Sequence, residues 1–177
     1  MRDCWRIWPS NFEVDELLAE VDASKVETAT TFMDDSTQHR RSKVSWLTGN
    51  DKVHGMLNSY IAEARNFIDV EVGFDAEIQY TEYHASEGGK YDWHHDVHWE
   101  GDGPTDRKLS LTVQLSDPAD YEGGNFEFAE CEQLPPQYAK QRGTVVVFPS
   151  YLSHRVSPVT SGVRKSLVAW FHGPRWR

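Results

Sequence analysis

The chain is 177 residues long, room for one well-buried domain and too little for two of ordinary size. It carries 28 acidic against 18 basic residues, a formal charge of −10 and a pI near 5.2, a field that repels phosphate backbones and anionic membrane surfaces. Mean hydropathy is −0.64, no apolar run approaches the roughly 18 residues of a membrane span, and the opening MRDCWRIWPS lacks the apolar stretch of a secretory signal. A cytoplasmic protein with neither a membrane nor a nucleic-acid partner is therefore expected. Cys4 and Cys131 form no disulfide framework and no zinc spacing, so both thiols are expected free in a reducing compartment.

In chain order, Ser10 with Glu13 three places later is a capping-box pattern, and Phe12, Val14, Leu17, Leu18 and Val21 follow at helical spacing. Residues 26–32, rich in Val and Thr, read as a strand. The clearest helix is 51–67, where Val53, Met56, Leu57, Tyr60, Ile61, Ala64 and Ile68 form one apolar stripe and Asn50 stands ready as its cap. From residue 76 the texture changes to short strands over 76–84, 90–95, 108–116, 125–128, 143–148, 153–158 and 164–172. Gly88-Gly89, Asp117-Pro118, Gly123-Gly124, Pro135-Pro136 and Ser161-Gly162 punctuate them. The expectation is a mainly β chain with α support, an α+β architecture in one domain over 1–177. Residues 1–75 are read as mostly helical support packed outside a closed or sandwich-like antiparallel core, such as a jelly roll, formed by 76–177.

The densest group of metal-capable side chains lies between Tyr91 and Trp99. On a strand, His94 and Asp96 project to one face and His95 to the other. Downstream, His154 is the one histidine in an alternating strand that can complete the set. Two imidazoles and one carboxylate on one face of a metal leave positions open, the arrangement of non-haem Fe(II) oxygenases. Spacing leaves a second pair open, because Asp96 and His98 share a face just as His94 and Asp96 do. His39, His54 and His84 read as surface or satisfied histidines, and His172 as one without an acidic neighbour. Further on, Arg164, Ser166, Val168 and Trp170 share a strand face. An inward-facing Arg in a β core needs an anionic partner, either a protein carboxylate or a dicarboxylate ligand that the planar guanidinium grips bidentately with Ser166 as an added donor. Trp93, Trp99 and the Gly-rich acidic loop 100–106 read either as lid and substrate contacts or as packing, and Arg155 as pointing away from His154.

These pieces together resemble the prolyl/lysyl hydroxylase-type branch of the 2-oxoglutarate and Fe(II)-dependent dioxygenases. The resemblance rests on Tyr83 and Tyr91 leading into His94-x-Asp96, on Arg107-x-x-Ser110 through Ser116, and on Asp117 through Phe126. It continues with the strand before His154 and the Gly162-x-Arg164-x-Ser166-Leu run to Trp170, and it takes in Arg41 to Trp46 more loosely. It implies a double-stranded β-helix in which His94, Asp96 and His154 form the catalytic Fe(II) centre. It further implies that Arg164 holds the distal carboxylate of 2-oxoglutarate, with Tyr83 and Ser166 in the same cosubstrate pocket. Gln114 stands where relatives often have a second tyrosine, just before a Leu-Asn pair that is Leu115-Ser116 here, and Thr112 and Gln114 share a strand face. Dioxygen is the implied second oxidant, ascorbate an accessory reductant, and a protein or peptide the implied substrate. The implied reaction hydroxylates an unactivated C–H, that of a prolyl residue, with release of succinate and CO2. Two alternatives stand beside it: the same chemistry on a nucleobase or small molecule, against the first of which the charge speaks, and a non-oxygenase cupin-type metal-binding module. A dicarboxylate clamp at Arg164 separates the last from the others.

Overall fold

In a computed structural model, the structure describes residues 4–22, 25–29, 36–99 and 101–176. The first elements are β1 (Arg6–Trp8), α1 (Val14–Leu18), β2 (Glu27–Thr28), α2 (Ser36–His39), β3 (Arg40–Arg41), β4 (Lys43–Trp46) and α3 (Asp51–Ala64). The β-rich part follows as β5 (Ala76–His84), β6 (Lys90–His94), β7 (Thr105–Gln114), β8 (Tyr121–Gly123) and β9 (Phe126–Phe128). It ends with α4 (Pro136–Ala139), β10 (Val145–Pro149), β11 (His154–Val156) and β12 (Val159–Pro174). Among the described residues no helix is long and apolar enough to cross a membrane.

The strands form two antiparallel sheets, a larger one ordered β1-β10-β7-β12-β5-β4-β2, with β8 on β12, and a smaller one ordered β3-β6-β11-β9. Residues from both sheets line one cavity, as in a double-stranded β-helix. The period-2 alternation of the long strands decides what each face does. On β5, Ile78 and Tyr80 join the apolar cluster, whereas Gln79 and Tyr83 line the cavity. On β12, Leu167, Ala169 and Phe171 face the same cluster, and Arg164, Ser166, Val168 and Trp170 face the cavity. Helix α3 covers the apolar face with Val53, Leu57, Ile61 and Ala64, and its N-cap forms as expected, with Asn50 Oδ1 accepting from the Val53 amide at 3.1 Å.

Several local expectations are corrected. The Ser10 capping box does not form: α1 begins at Val14 with no side-chain cap, and Ser10 has φ +49° with its amide donating to Thr144 Oγ1 at 3.3 Å. Tertiary contact with the 143–144 turn has overridden the local pattern. Within residues 1–75, helices α1, α2 and α3 are accompanied by short strands, of which β1, β3 and β4 extend the two sheets. The strand expected over 26–32 is reduced to Glu27–Thr28, and residues 30–32 lie outside those described. Ser161-Gly162 does not end a strand. β12 runs through it with a register shift, and Gly162 at φ +69° lets Asp120 approach where a Cβ would overlap its carbonyl. Cys4 and Cys131 are in no disulfide and meet in space as thiols: burial first, and then Cys4 beside it, pushes the Cys131 thiol up to about 12.

Candidate active site

β6 and β11 are antiparallel neighbours, and their register sets His154 directly opposite His94. Strand β6 ends at His94, one residue earlier than expected. Asp96 therefore turns inward from a bend, fixed by its amide donating to the Ser150 carbonyl at 2.9 Å. His94 Nε2 comes within 3.7 Å of Asp96 Oδ1, and His154 Nε2 within 3.5 Å of Asp96 Oδ2. Ligand atoms of all three residues lie within 4.8 Å of one another. His95 turns toward the Trp99 ring, 6.0 Å away, and neither it nor His98 enters this group, which resolves the ambiguity of spacing.

The proton positions follow from the partners. His94 Nδ1 lies 2.7 Å from the Asp92 carbonyl and His154 Nδ1 2.9 Å from the Leu152 carbonyl. A carbonyl can only accept, so each Nδ1 carries a hydrogen and each ring turns its Nε2 to the centre. Burial, reinforced by the neighbouring His154, pushes the His94 imidazole down to about 3, so it is neutral across the physiological range. For Asp96, burial pushes the carboxyl up, but the two imidazoles and the Ser110 hydroxyl outweigh it and hold the group below the usual range as the ionised form. Ser110 Oγ donates to Asp96 Oδ2 at 2.6 Å and is itself 2.9 Å from Ser150 Oγ. Tyr91 stacks on His94 with centroids 3.5 Å apart, and Phe148 packs on His154 at 4.8 Å. Two imidazole Nε2 atoms and one carboxylate, buried and pre-oriented, fit a divalent transition metal.

Arg164 enters the same cavity from β12 at 3% exposure. Its partners are neutral: Ser166 Oγ at 3.4 Å, the Tyr121 hydroxyl, and the Tyr83 ring 5.6 Å away. Among the described residues no carboxylate forms an ion pair with Arg164, so the protein-paired alternative is not what the structure contains. Gly124, at φ +57°, makes room for it, because a Cβ there would stand 2.9 Å from Arg164 Cδ. An orphaned buried guanidinium of this kind fits a carboxylate ligand.

Of the other expected residues, Tyr83 and Ser166 line the cavity and Gln114 does not. Gln114 donates to the Tyr121 hydroxyl at 3.0 Å, so it braces the tyrosine that touches Arg164, and its own Oε1 is buried without a partner. Trp93 and Trp99 are both exposed, and neither lines the cavity. Trp93 lies under the Arg155 guanidinium at 4.6 Å, and residue 100 of the adjoining loop is outside those described. Arg155 points away from the cavity, as expected, to Glu127 at 2.6 Å. The expectation for His172 is corrected: its Nε2 lies 2.8 Å from Glu77 Oε1, a residue far off in sequence but adjacent in the sheet. Glu77 also accepts from Arg107 at 2.6 Å, and Arg107 lies over the Trp170 ring at 4.0 Å. Sequence reasoning missed Ser110, Ser150, Tyr121, Gln79 and Arg40. Ser110 had a visible signal, a polar residue at an inward position of an otherwise apolar strand.

Comparison with known proteins agrees with this geometry. A family model described as the 2OG-Fe(II) oxygenase superfamily matches residues 78–172. A PKHD-type hydroxylase from Synechococcus sp. (strain CC9311) is 42% identical over 84 residues, 48% of this chain and 36% of that protein. A PKHD-type hydroxylase from Hyphomonas neptunium is 39% identical over 93 residues, 49% of this chain and 39% of that protein. The matched part thus spans little more than a third of the length of these relatives. A crystal structure of a Pseudomonas putida prolyl-4-hydroxylase superposes with a TM-score of 0.71 at 22% identity, covering 96% of this chain and 93% of that one. A Trichoplax adhaerens prolyl hydroxylase, solved with a peptide fragment of the hypoxia inducible factor oxygen degradation domain, gives 0.72 at 16% identity, covering 95% and 83%. At these identities the superpositions speak for the fold, and the fold is the jelly roll expected from the strand pattern.

Proposed function

The chain belongs to the 2OG-Fe(II) oxygenase superfamily, and from that premise we propose that it is a hydroxylase acting on a prolyl residue of a protein or peptide. His94, Asp96 and His154 hold Fe(II), and Arg164, with Ser166 and Tyr83, holds the distal carboxylate of 2-oxoglutarate. When bound together, metal and cosubstrate supply oxidative decarboxylation: dioxygen and 2-oxoglutarate become succinate and CO2, and one oxygen atom enters a substrate C–H bond. The rest is work for side chains of this chain. The two Nδ1–H donors fix both imidazoles with lone pairs inward, and Ser110 occupies one Asp96 oxygen so that the other faces the metal. Arg164 orients the diacid along the cavity axis, braced from behind by Tyr121 and Gln114. Phe126, Phe148 and Val156 keep the cavity wall apolar and limit water at the reacting centre. A cytoplasmic setting, where ascorbate or another reductant keeps iron ferrous, belongs to the same proposal.

The observation that carries the reading is the meeting, in one cavity, of the His94–Asp96–His154 group with a buried Arg164 that has no carboxylate partner among the described residues. A cupin-type metal-binding module would have no use for that guanidinium. The test is succinate formation by the purified protein with Fe(II), 2-oxoglutarate and prolyl peptides, with hydroxylation read by mass spectrometry. Succinate equimolar with a 16 Da gain on a prolyl residue is expected, lost in His94→Ala and Asp96→Ala, with metal retained in His95→Ala. Full activity in either of the first two variants, or loss of iron in the third, overturns the ligand set.

A further inference from the structure

The cavity holds a second buried guanidinium that the reading above does not use. Arg40 stands on β3 opposite Tyr91 of β6 and is 7% exposed. Its Nε donates to Ser42 Oγ at 2.8 Å and its Nη2 to Gln79 Oε1 at 2.7 Å. Its guanidinium lies 4.6 Å from the centre of the Tyr91 ring, the ring that stacks on His94. Every one of these partners is neutral. Among the described residues no carboxylate pairs with Arg40, in contrast to Arg107, whose charge is met by Glu77 at 2.6 Å. Arg40 lines the same cavity as His94, Asp96 and Arg164.

Position and charge both set Arg40 apart from the cosubstrate clamp. In the β12·β5 register Arg164 is level with Tyr83, while Gln79, which anchors Arg40, is level with Val168. The two levels are four residues apart on β5, about 13 Å along the strand. Arg40 thus enters at the end of the cavity where Tyr91 and His94 stand. Accepting the proposed ligands, a divalent metal, Asp96 and the two arginines sum to three positive charges, and 2-oxoglutarate neutralises two. One positive charge is left, held by Ser42 and Gln79 in a fixed orientation, and an uncompensated buried cation is strongly unfavourable.

We propose that Arg40 recognises the substrate through a carboxylate, so that the molecule oxidised is a carboxylic acid, either a free amino or imino acid or the C-terminal residue of a peptide, and not an interior residue. The proposal rests on the metal and 2-oxoglutarate centre read above, and it either narrows the substrate read there to a C-terminal residue or replaces it with a free amino or imino acid. The planar fork takes a carboxylate bidentately and takes a neutral amide far less well. Ser42 takes the Nε proton and Gln79 one Nη2 proton, leaving the Nη1 side of the fork for the ligand.

The test is thermal denaturation of the full chain loaded with Mn(II), a redox-silent stand-in, and saturating 2-oxoglutarate, titrated with matched acid and amide pairs. The pairs are acetate and acetamide, proline and prolinamide, and a proline-terminated peptide as free acid and as amide. Each ligand that binds the folded form raises the melting temperature in proportion to its occupancy. At least one acid is expected to act at concentrations tenfold or more below its amide, and whether proline or the peptide acid leads identifies the source of the carboxylate. In Arg40→Met and Arg40→Gln that difference is expected to vanish while the response to 2-oxoglutarate stays within threefold. No acid outperforming its amide, the difference surviving in both variants, or a loss of the 2-oxoglutarate response in both, overturns the assignment of Arg40. Failure of 2-oxoglutarate itself to stabilise the Mn(II)-loaded wild type overturns instead the functional reading on which it rests.

Discussion

Replacing Arg164 with Met keeps the length of the side chain and removes its charge, and the structure sets what should follow. The guanidinium is 3% exposed, so its attraction for a carboxylate is little screened by solvent. Removing one partner of a buried, hydrogen-bonded charge pair costs about 2–5 kcal/mol of binding, which is about 30-fold to a few thousand-fold in Kd. The unliganded protein should respond far less. There Arg164 gives up a long contact to Ser166 Oγ at 3.4 Å and one to the Tyr121 hydroxyl, while the desolvation of an unpaired cation is relieved. Those opposing effects leave a change within about 1 kcal/mol, about 2–4 °C in melting temperature for a chain of this size. Calorimetric titration of 2-oxoglutarate into the Mn(II)-loaded variant, paired with melting of the ligand-free form, reads both quantities. Binding within threefold of wild type would refute the clamp. A ligand-free variant destabilised by several kcal/mol would show that the guanidinium is held for structure instead.

Two further predictions concern groups outside the metal centre. Hydrogen bonds from His172, and then Arg107, outweigh burial and hold the Glu77 carboxyl down at about 2 from an ordinary 4.5. A depressed carboxyl contributes stability that is complete above its unfolded value and is lost as pH falls from about 4.5 through about 2. Acid denaturation followed by circular dichroism should therefore be steeper in that window for the wild type than for Glu77→Gln, by a modest margin because the side chain is partly open to solvent; parallel curves would count against the pairing. The Cys131 thiol, raised to about 12 by burial and by Cys4 beside it, is about one part in ten thousand thiolate at pH 8. Iodoacetamide at that pH should label it only after unfolding, and rapid labelling of the native protein by peptide mass mapping would contradict the environment described.

How much of this was legible in the sequence depends on whether the signal was local. Helix α3 was, because its apolar stripe and Asn50 cap are contained within one stretch of chain. His94-x-Asp96 was legible through strand alternation, although β6 stops at His94 and Asp96 reaches the centre through a bend held by Ser150. Arg164 was legible as a charge on an inner strand face. The rest required tertiary register. Arg40 sits on a two-residue strand with no periodicity to expose it, and only the pairing of β3 with β6 brings it to Tyr91. His172 finds Glu77 through β12·β5 pairing, a partner that no window along the chain contains. Ser10 failed in the opposite sense: its motif was complete, but the 143–144 turn supplied a competing contact that no local pattern records.

The division of labour between the two faces of the larger sheet explains why such a site is tolerated. Along β5, β7 and β12 alternate residues face α1 and α3, where Leu111, Leu167, Phe171, Leu57 and Ile61 are fully buried, each contributing about 1.5–3 kcal/mol. The opposite face, with the smaller sheet that lines the same cavity, holds two guanidinium groups that no carboxylate among the described residues pairs, a buried Asp96 and an imidazole kept neutral against its ordinary tendency to protonate, all unfavourable in the empty cavity. The folded state thus holds, on its inner wall, electrostatic strain that its outer wall offsets. Metal, diacid and a carboxylate-bearing substrate each relieve part of it. Each should stabilise the fold when added in turn, and the order in which they do so follows the cavity from Asp96 and Arg164 to Arg40.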